Sequence, residues 1–302
     1  MTDTGRTVTG TTETGTTHTG TTDIDVGALR ALALDVALEA GRFIVDERPD
    51  ELSVGTKSTA TDVVTDMDQR AQDLIVGTLA RLRPDDGFLG EEEGGSRRGR
   101  TGITWVVDPI DGTVNYLYGV PAYAVSVAAV TGDPSVDGGW SPVAGAVVNP
   151  VTGEAYSAAL GQGATREDRD GSRTTLRVST VDTLAQALVA TGFGYAAARR
   201  AWQAAVLADL LPDVRDIRRI GSAALDLCRV AEGSVDAYYE RGLHPWDLAA
   251  GWLVVTEAGG TVTGPEGDAP CEDLVIATGN ALRLPFVHRL EQALSTCDVT
   301  SA

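Results

Sequence analysis

The clearest chemical pattern in the chain is an apolar segment that leads into two closely spaced acids. Positions 105–113 read Trp-Val-Val-Asp-Pro-Ile-Asp-Gly-Thr. The carboxylates of Asp108 and Asp111 would repel each other unless a cation lay between them, and such hard oxygen ligands suit Mg²⁺. Gly112 lets a ligand approach the backbone, and Thr113 can cap a short helix whose free N–H groups would bind an anion. A solvated turn is the alternative interpretation.

A second group of acids follows another short apolar segment. Phe88–Gly90 precede Glu91, Glu92 and Glu93. One of these carboxylates could bind a metal ion, and the other two would then lie in a solvated loop.

Two further segments stand at the start of apolar helical stretches in the second half of the chain. Asp247 begins one of them, where an acid commonly caps the helix. Gly221 and Ser222 precede the other, and the pattern is consistent both with plain capping and with a site for a hydroxyl group or an anion.

Several well-known motifs are excluded. The segment around Lys57 is not a phosphate-binding loop of the Walker type, because no glycine directly precedes the lysine. Residues 161–163 lack the third glycine of a dinucleotide-binding motif. The chain contains no Gly-x-Ser-x-Gly sequence and no paired Cys and His ligands.

The charge of the chain limits its partners. The 302 residues include 24 basic and 43 acidic side chains, for a formal net charge of −19. Such a protein would repel nucleic acids and anionic membranes, so we expect neither as a partner. A phosphate substrate would need cations to bridge it to the carboxylates. With 43% hydrophobic and 22% charged residues, the composition is that of an ordinary globular protein. The length of 302 residues suffices for one large α/β domain or two average domains.

Cysteine usage and apolar runs predict a cytoplasmic protein. Cys228, Cys271 and Cys297 form no short-spaced pair, which is typical of a reducing compartment. The longest apolar runs are too short to cross a bilayer. No basic segment followed by an apolar one opens the chain, so we expect no signal peptide.

The first half of the chain predicts a tail, two helices and a series of strands. Residues 1–22 repeat Thr-Gly-Thr-Thr and are predicted to be disordered. Apolar residues recur at helical spacing from Asp25 to about Asp46 and from about Asp66 to Leu82. A turn-rich segment from Asp133 to Gly139 predicts a hairpin loop. The predicted strands are Gly87–Gly90, Ile103–Val107, Tyr123–Val130, Val143–Val148 and Glu154–Ala158.

The second half alternates between helical and strand-like segments. The predicted helices are Ala197–Leu211, Ser222–Ala231, Trp246–Ala258 and Ala281–Leu294. The predicted strands are Val214–Ile217, Val235–Tyr239 and Leu274–Ala277. This change of pattern predicts an α/β (α+β) protein with two subdomains, residues 23–182 and 183–302.

The order and spacing of these motifs resemble the inositol monophosphatase family of Mg²⁺-dependent, Li⁺-sensitive phosphatases. The resemblance is carried by Gly-Glu-Glu at position 90, by the segment at 105–113, and by Trp-Asp-x-Ala-Ala-Gly at position 246. The resemblance covers residues 25–295. Within the family, it points to the bacterial inositol-1-monophosphatases. It implies a layered α/β/α/β/α sandwich, in which the first subdomain binds the metal and the second completes the active site.

The resemblance implies a set of metal ligands for more than one Mg²⁺ ion. On the positions that match the family's motifs, these are Glu91, Asp108, the backbone carbonyl of Ile110, Asp111 and Asp247. Asp66 and Glu93 add acids beside this set that are not part of the family's pattern, although neither removes a needed group.

The resemblance also implies which groups act on water and phosphate. Asp68 and Thr113 match the pair that orients and deprotonates the attacking water, with Glu91 among the catalytic residues. Lys57 matches a lysine near that water, and Gly112 and Thr113 match the backbone N–H pair that binds phosphate.

The remaining implied positions line the pocket for the sugar alcohol. They are Gly221, Ser222, Ala223 and Glu240, with Arg219, or alternatively Arg218, as a further candidate. The substrate would also lie against Glu91, Ile110, Asp111, Gly112, Thr113 and Asp247.

The activity implied by the resemblance is the hydrolysis of myo-inositol 1-phosphate, a small phosphorylated polyol, by a metal-activated water. The resemblance also implies a homodimer. Family members that hydrolyse histidinol phosphate, fructose 1,6-bisphosphate or the 3′-phosphate of adenosine bisphosphates share the metal motif, so these substrates stay open. A non-catalytic, metal-dependent regulatory protein is the alternative from a different class.

Overall fold

A computed structural model describes Met1 and residues 24–48, 54–56, 63–94 and 96–301. The rest of the predicted disordered tail lies outside the described residues, and so does Lys57. None of the helices among the described residues is both long enough and apolar enough to cross a membrane.

Seven α-helices are found in the described part of the chain. They are α1 (Val26–Asp46), α2 (Asp66–Leu82), α3 (Thr113–Tyr118), α4 (Ala197–Leu210), α5 (Ala223–Ala231), α6 (Pro245–Glu257) and α7 (Arg283–Ser301). Helix α1 shows why the sequence folds in this way. The Asp25 side chain accepts a hydrogen bond from the N–H of Ala28 at its start, and residues such as Leu29, Val36 and Ile44 form its buried face.

The strands form three sheets. A two-stranded sheet pairs β1 (Val54–Thr56) with β2 (Val63–Thr65). The large sheet has the order β10-β9-β8-β7-β6-β5-β3-β4, and only β3 and β5 are parallel. Its strands are β3 (Gly87–Gly90), β4 (Ser96–Arg97), β5 (Ile103–Asp111), β6 (Ala124–Gly132), β7 (Trp140–Val148), β8 (Ala155–Ala159), β9 (Ala164–Glu167) and β10 (Arg173–Thr175).

The third sheet has five strands in the order β12-β11-β13-β15-β14. Strand β11 is parallel to β12 and to β13, whereas β15 is antiparallel to both of its neighbours. The strands are β11 (Leu188–Thr191), β12 (Asp216–Arg218), β13 (Ala237–Glu240), β14 (Thr261–Thr263) and β15 (Val275–Thr278).

The elements stack in five layers, which confirms the predicted α/β/α/β/α sandwich. Helices α1 and α2 cover the outer face of the large sheet. Helices α5 and α6 lie between the two large sheets and share one apolar core with both. Helices α4 and α7 cover the outer face of the five-stranded sheet. The subdomain boundary at residue 182 stays a prediction, because the middle layer packs against both sheets.

Most of the long predicted elements are confirmed, with bounds that differ by a few residues. Strand β5 is an informative exception, because we expected it to end before Asp108 at a proline turn. It runs on to Asp111, and a β-bulge between Asp108 and Asp111 takes up the irregularity. Seven strands were not predicted: β1, β2, β4, β9, β10, β11 and β14.

Asp86 holds together the turn between α2 and the large sheet. This carboxylate is buried and accepts hydrogen bonds from Arg83 Nε at 2.7 Å, Thr101 Oγ1 at 2.6 Å and the indole Nε1 of Trp105 at 2.9 Å. Burial opposes ionisation, but these donors outweigh it and lower the pKa of Asp86. The ionised form is therefore favoured in the folded protein.

Replacing Asp86 with alanine should lower the free energy of unfolding by about 2–3 kcal/mol at pH 7, because the Trp105 N–H is then left buried without its acceptor. A lowered pKa means that this stabilisation is present above the unfolded pKa of about 3.9 and is lost as the pH falls through the folded pKa. Chemical denaturation of the wild type and Asp86→Ala at pH 7 and at pH 3 measures the difference.

The neighbouring acid provides a matched control. Asp85 is about half exposed and pairs with Arg100, so Asp85→Ala should cost about 1 kcal/mol at most. Equal losses for the two variants, or a loss for Asp86→Ala that does not shrink at low pH, would contradict this interpretation.

Candidate active site

The residues predicted for the site converge on one cavity of about 500 Å³. Its walls come from the ends of β3, β5 and β13 and from the starts of α3, α5 and α6. The predicted residues among its lining are Glu91, Asp108, Ile110, Asp111, Gly112, Thr113, Arg219, Gly221, Ser222, Ala223, Glu240 and Asp247. The sequence motifs that lie far apart in the chain are therefore brought together.

The parallel pairing of β3 with β5 places Glu91 beside Asp108. Gly90 is in register with Val107, and the Glu91 N–H donates to the Val107 carbonyl at 3.3 Å. The next residue of each strand is an acid, so the two carboxylates meet at the same edge of the sheet.

Gln72 of α2 fixes the loop that carries Glu91. Its amide accepts from the Glu92 N–H at 2.8 Å and donates to the Glu92 carbonyl at 3.0 Å. A Cβ at Gly90 would overlap this amide, so glycine is required there for a close approach. Glu92 is buried in this contact, and Glu91 is the acid of the run that reaches the cavity.

The start of α5 holds Asp111. The Asp111 carboxylate accepts from Ser222 Oγ at 2.6 Å, from the Ala224 N–H at 2.7 Å and from the Ala223 N–H at 3.3 Å. Ser222 is also the N-cap of α5, where its oxygen accepts from the Leu225 N–H. The predicted capping by Ser222 is confirmed, and its hydroxyl also binds the Asp111 carboxylate. The alternative of a site for a ligand hydroxyl group or anion stays a prediction.

A contact between sheet and helix brings Asp247 to the same place. Ser126 of β6 is paired with Asp108, and its hydroxyl donates to the Trp246 carbonyl at 3.2 Å. Asp247 is the third residue of α6 rather than its cap, and it accepts from the His244 N–H at 2.7 Å.

Three carboxylates form a cluster that fits a metal ion. Oxygens of Asp108, Asp111 and Asp247 lie within 4.8 Å of one another. Burial raises the pKa of all three, and neighbouring carboxylates including Glu91 raise it further. The pKa of Asp111 reaches about 6 despite its hydrogen bonds. Divalent cations bound by oxygen ligands relieve this repulsion, so the donor set fits a hard divalent metal ion.

Gly112, not Thr113, is the N-cap of α3. Its φ of 98° requires glycine, and a Cβ there would lie 3.0 Å from the Gly221 carbonyl. Thr113 is the first helical residue, and its hydroxyl donates to the Ile110 carbonyl at 3.1 Å. The predicted short helix is confirmed, and its predicted cap is wrong by one residue.

Asn115 joins α3 to the turn before α5. Its amide donates to the carbonyls of Ala122 at 2.6 Å and Ile220 at 3.0 Å. Gly221, with φ of 96°, packs against this amide. The contact fixes the Gly221–Ala223 wall of the cavity opposite the start of α3, although nothing in the sequence motifs indicated it.

Other predicted residues are placed less directly. Asp68 is buried and does not line the cavity, but its charge contributes to the raised pKa of Asp108. Arg219 is among the residues that line the cavity and Arg218 is not, which favours Arg219 of these two candidates. Lys57 lies outside the described residues.

The cavity is also lined by charged residues that lie outside the local sequence motifs. Arg199, at the start of α4, lines its far side. Asp226 of α5 lines it too, and its buried Oδ1 has no hydrogen-bond partner among the described residues. Glu240 was predicted only through the resemblance; it accepts from the Tyr238 hydroxyl at 2.6 Å, and burial raises its pKa to about 7. None of these side chains stands in a recognisable local motif.

Comparison with known protein families identifies the family of this chain. The model of the inositol monophosphatase family matches residues 25–294. The chain belongs to this family. An inositol-1-monophosphatase of Mycobacterium leprae (strain TN) is 49% identical over 262 residues, which are 82% of this chain and 87% of that protein. A Pasteurella multocida (strain Pm70) protein called Nus factor SuhB is 39% identical over 235 residues, 76% of this chain and 83% of that protein.

Solved structures of family members share the fold. Mycobacterium tuberculosis SuhB superposes with a TM-score of 0.75 at 43% identity, covering 90% of this chain and 98% of that one. The Thermotoga maritima IMPase gives a TM-score of 0.77 at 27% identity, covering 88% of this chain and 98% of that one.

The carboxylate cluster predicts how divalent cations change stability. Mg²⁺ should raise the melting temperature of the wild type well beyond the effect of NaCl at equal ionic strength, because a cation bound to the folded state stabilises it by about 2.7 kcal/mol at 100 times its Kd. Asp108→Asn should be more stable than the wild type in the presence of a chelator, because one repelling charge is gone, and should respond less to Mg²⁺. Scanning calorimetry with and without chelator checks both. Equal responses of the two proteins to Mg²⁺ would exclude a cation site at Asp108.

Proposed function

We propose that the protein is a Mg²⁺-dependent phosphomonoesterase that hydrolyses myo-inositol 1-phosphate to inositol and phosphate. The observation that supports this most strongly is the cluster of Asp108, Asp111 and Asp247 in the same cavity as the backbone of Gly112 and Thr113. Family membership supports a phosphatase. The net charge of −19 also supports bound cations, because a phosphate dianion would otherwise be repelled at its binding site.

In this proposal the acids of the cavity hold the metal ions. Glu91, Asp108, Asp111, Asp247 and the Ile110 carbonyl are the ligands. Bound Mg²⁺ would lower the pKa of water and offset charge on the phosphoryl oxygens. The hydrogen bonds to Asp111 from Ser222 and the start of α5 orient its carboxylate and keep it ionised.

The backbone and side chains around the phosphate have separate tasks in this proposal. The N–H groups of Gly112 and Thr113 would donate to phosphoryl oxygens, where negative charge grows in the transition state. The Thr113 hydroxyl donates to the Ile110 carbonyl, and Thr113 lines the cavity; this hydroxyl would orient the attacking water. For Asp68 to accept the proton of the water through this hydroxyl, the hydroxyl hydrogen would turn from the Ile110 carbonyl to Asp68 and be replaced by the proton of the water.

The opposite wall favours a polyol as the alcohol part of the substrate. Glu240 and the Gly221–Ala223 segment present acceptors and donors there, and a carboxylate accepts hydrogen bonds from hydroxyl groups. Histidinol phosphate, fructose 1,6-bisphosphate and 3′-phosphoadenosine compounds remain the alternative substrates within the family.

One relative suggests a second candidate function. The Pasteurella multocida relative carries the name Nus factor, which states no phosphatase activity, so a non-catalytic regulatory role is the alternative. The intact acid set at Glu91, Asp108, Asp111 and Asp247 supports hydrolysis instead.

Asp111→Asn should reduce Mg²⁺-dependent phosphate release by about 100-fold or more, because the amide keeps the size of the side chain but loses the ligand charge. It also turns one oxygen that accepts from α5 into a donor. Steady-state kinetics with colorimetric phosphate detection measures this, and circular dichroism shows whether the variant is folded. Asp170→Asn, which removes an exposed acid on a distant turn, is the control and should behave as the wild type. Wild-type turnover of Asp111→Asn at saturating substrate and Mg²⁺ would refute the metal assignment.

A panel of phosphate esters tests the substrate. We expect the highest kcat/KM for myo-inositol 1-phosphate, dependence of the rate on Mg²⁺, and inhibition by Li⁺. A much higher value for histidinol phosphate would replace the proposed substrate. Absence of Mg²⁺-stimulated hydrolysis across the whole panel would favour the regulatory role.

A homodimer and a cytoplasmic location are also part of the proposal. The homodimer follows from the resemblance, and the cytoplasmic location follows from the cysteine usage of the sequence. Light scattering of the purified protein tests the oligomeric state.

A further inference from the structure

Three glycines in the loops after β11 and β13 line the cavity, and each leaves space that a charged side chain fills. A Cβ at Gly192 would overlap the carboxylate of Glu240. A Cβ at Gly194 would lie 2.7 Å from Cδ of Arg199, and one at Gly242 would overlap the guanidinium of the same arginine. The backbone of two separate loops is thus shaped around one acid and one arginine.

These loops are fixed by hydrogen bonds behind the cavity. The buried amide of Gln203 accepts from the Gly194 N–H at 2.9 Å and donates to the Gly192 carbonyl at 3.4 Å. The Gly242 N–H donates to the Glu272 carbonyl at 2.7 Å. The loops that receive Arg199 are therefore held in place independently of any ligand.

The charge of Arg199 is already compensated on the protein side. Its guanidinium lies 3.7 Å from the Glu272 carboxylate, and it interacts electrostatically with Glu240. A second phosphate or carboxylate of a substrate would face both of these acids and be repelled. Neutral groups that accept and donate hydrogen bonds fit this environment better.

A guanidinium beside a carboxylate presents complementary partners to hydroxyl groups. Arginine offers only donors and an ionised glutamate only acceptors, whereas a hydroxyl group needs one of each. Arg199 is partly exposed and lines the cavity. We propose that Arg199 is a specificity-determining residue, which donates hydrogen bonds to hydroxyl oxygens of the substrate's alcohol while Glu240 accepts from its hydroxyl groups. This inference rests on the proposed phosphomonoesterase function.

The test compares an ester with hydroxyl groups and one without them. Arg199→Met should lower kcat/KM for myo-inositol 1-phosphate by about 10- to 100-fold, mostly through KM, because hydrogen bonds from a charged donor are lost. The value for phenyl phosphate, which has no hydroxyl group on its alcohol part, should stay unchanged. Arg199→Lys should give an intermediate loss, because the charge remains but the planar fork is removed.

Two further variants separate recognition from general effects. Arg215→Met removes an exposed arginine that lies outside the cavity lining, so both esters should react as with the wild type. Gly194→Ala keeps Arg199 but displaces its stem, so it should lower kcat/KM for the inositol ester alone, by less than Arg199→Met does. It also carries the test if Arg199→Met does not fold.

The outcomes distinguish the two proposals. If the wild type hydrolyses neither ester with Mg²⁺, the proposed function fails. If the wild type is active and Arg199→Met, or Gly194→Ala in its place, loses equally on both esters or on neither, the inference about Arg199 is wrong. A larger loss on fructose 1,6-bisphosphate than on inositol 1-phosphate would show that Arg199 binds an anion, and would also overturn it.

Discussion

Repulsion among largely buried carboxylates is the constraint on which the rest of the structure depends. Asp108, Asp111 and Asp247 lie close enough to share one cation, and burial together with their neighbours raises their pKa values. Each acid nevertheless accepts a hydrogen bond from the backbone. Asp108 accepts from the N–H of Ile110, Asp111 from the N–H of Ala224 at the start of α5, and Asp247 from the N–H of His244. These hydrogen bonds fix charges that would otherwise move apart, and so prepare the site for a metal ion.

The five-layer architecture explains how one small cavity collects groups from so much of the chain. The large sheet supplies the first acids at the ends of β3 and β5. The middle helical layer supplies the groups that complete the site, because α5 and α6 begin beside those strand ends. The five-stranded sheet adds Glu240 from β13 and, through the loops after β11 and β13, the glycines Gly194 and Gly242 that receive Arg199. In the proposed function, the ends of β3 and β5 together with α6 would supply the cation ligands, and the start of α5 orients Asp111. The five-stranded sheet would contribute to the wall that meets the alcohol.

The sequence predicted the long amphipathic elements well, because α1 and α2 each carry an apolar stripe long enough to define them. Among the seven strands that it missed are β11, whose residues are mostly buried and show no alternation, and β14, a short edge strand. Five others, β1, β2, β4, β9 and β10, have only two to four residues each. Pro109 suggested the end of a strand that in fact continues through a bulge. The meeting of Asp247 with Asp108 came only from the family resemblance, since it depends on the Ser126 contact. Arg199 could not be found at all, because its space is made by glycines on two different loops.

The position of α6 has a consequence for the order in which the protein is made. During translation the ribosome releases the acids of the β3 and β5 edge long before Asp247 leaves the exit tunnel. Helix α6 packs so closely on β7 that a Cβ at Gly145 would lie 3.1 Å from Cα of Ala250, so the large sheet reaches its final packing only after that helix arrives. The nascent chain therefore carries an acidic edge without Asp247 while residues 112–246 are being added, and the carboxylate cluster is completed only late in synthesis.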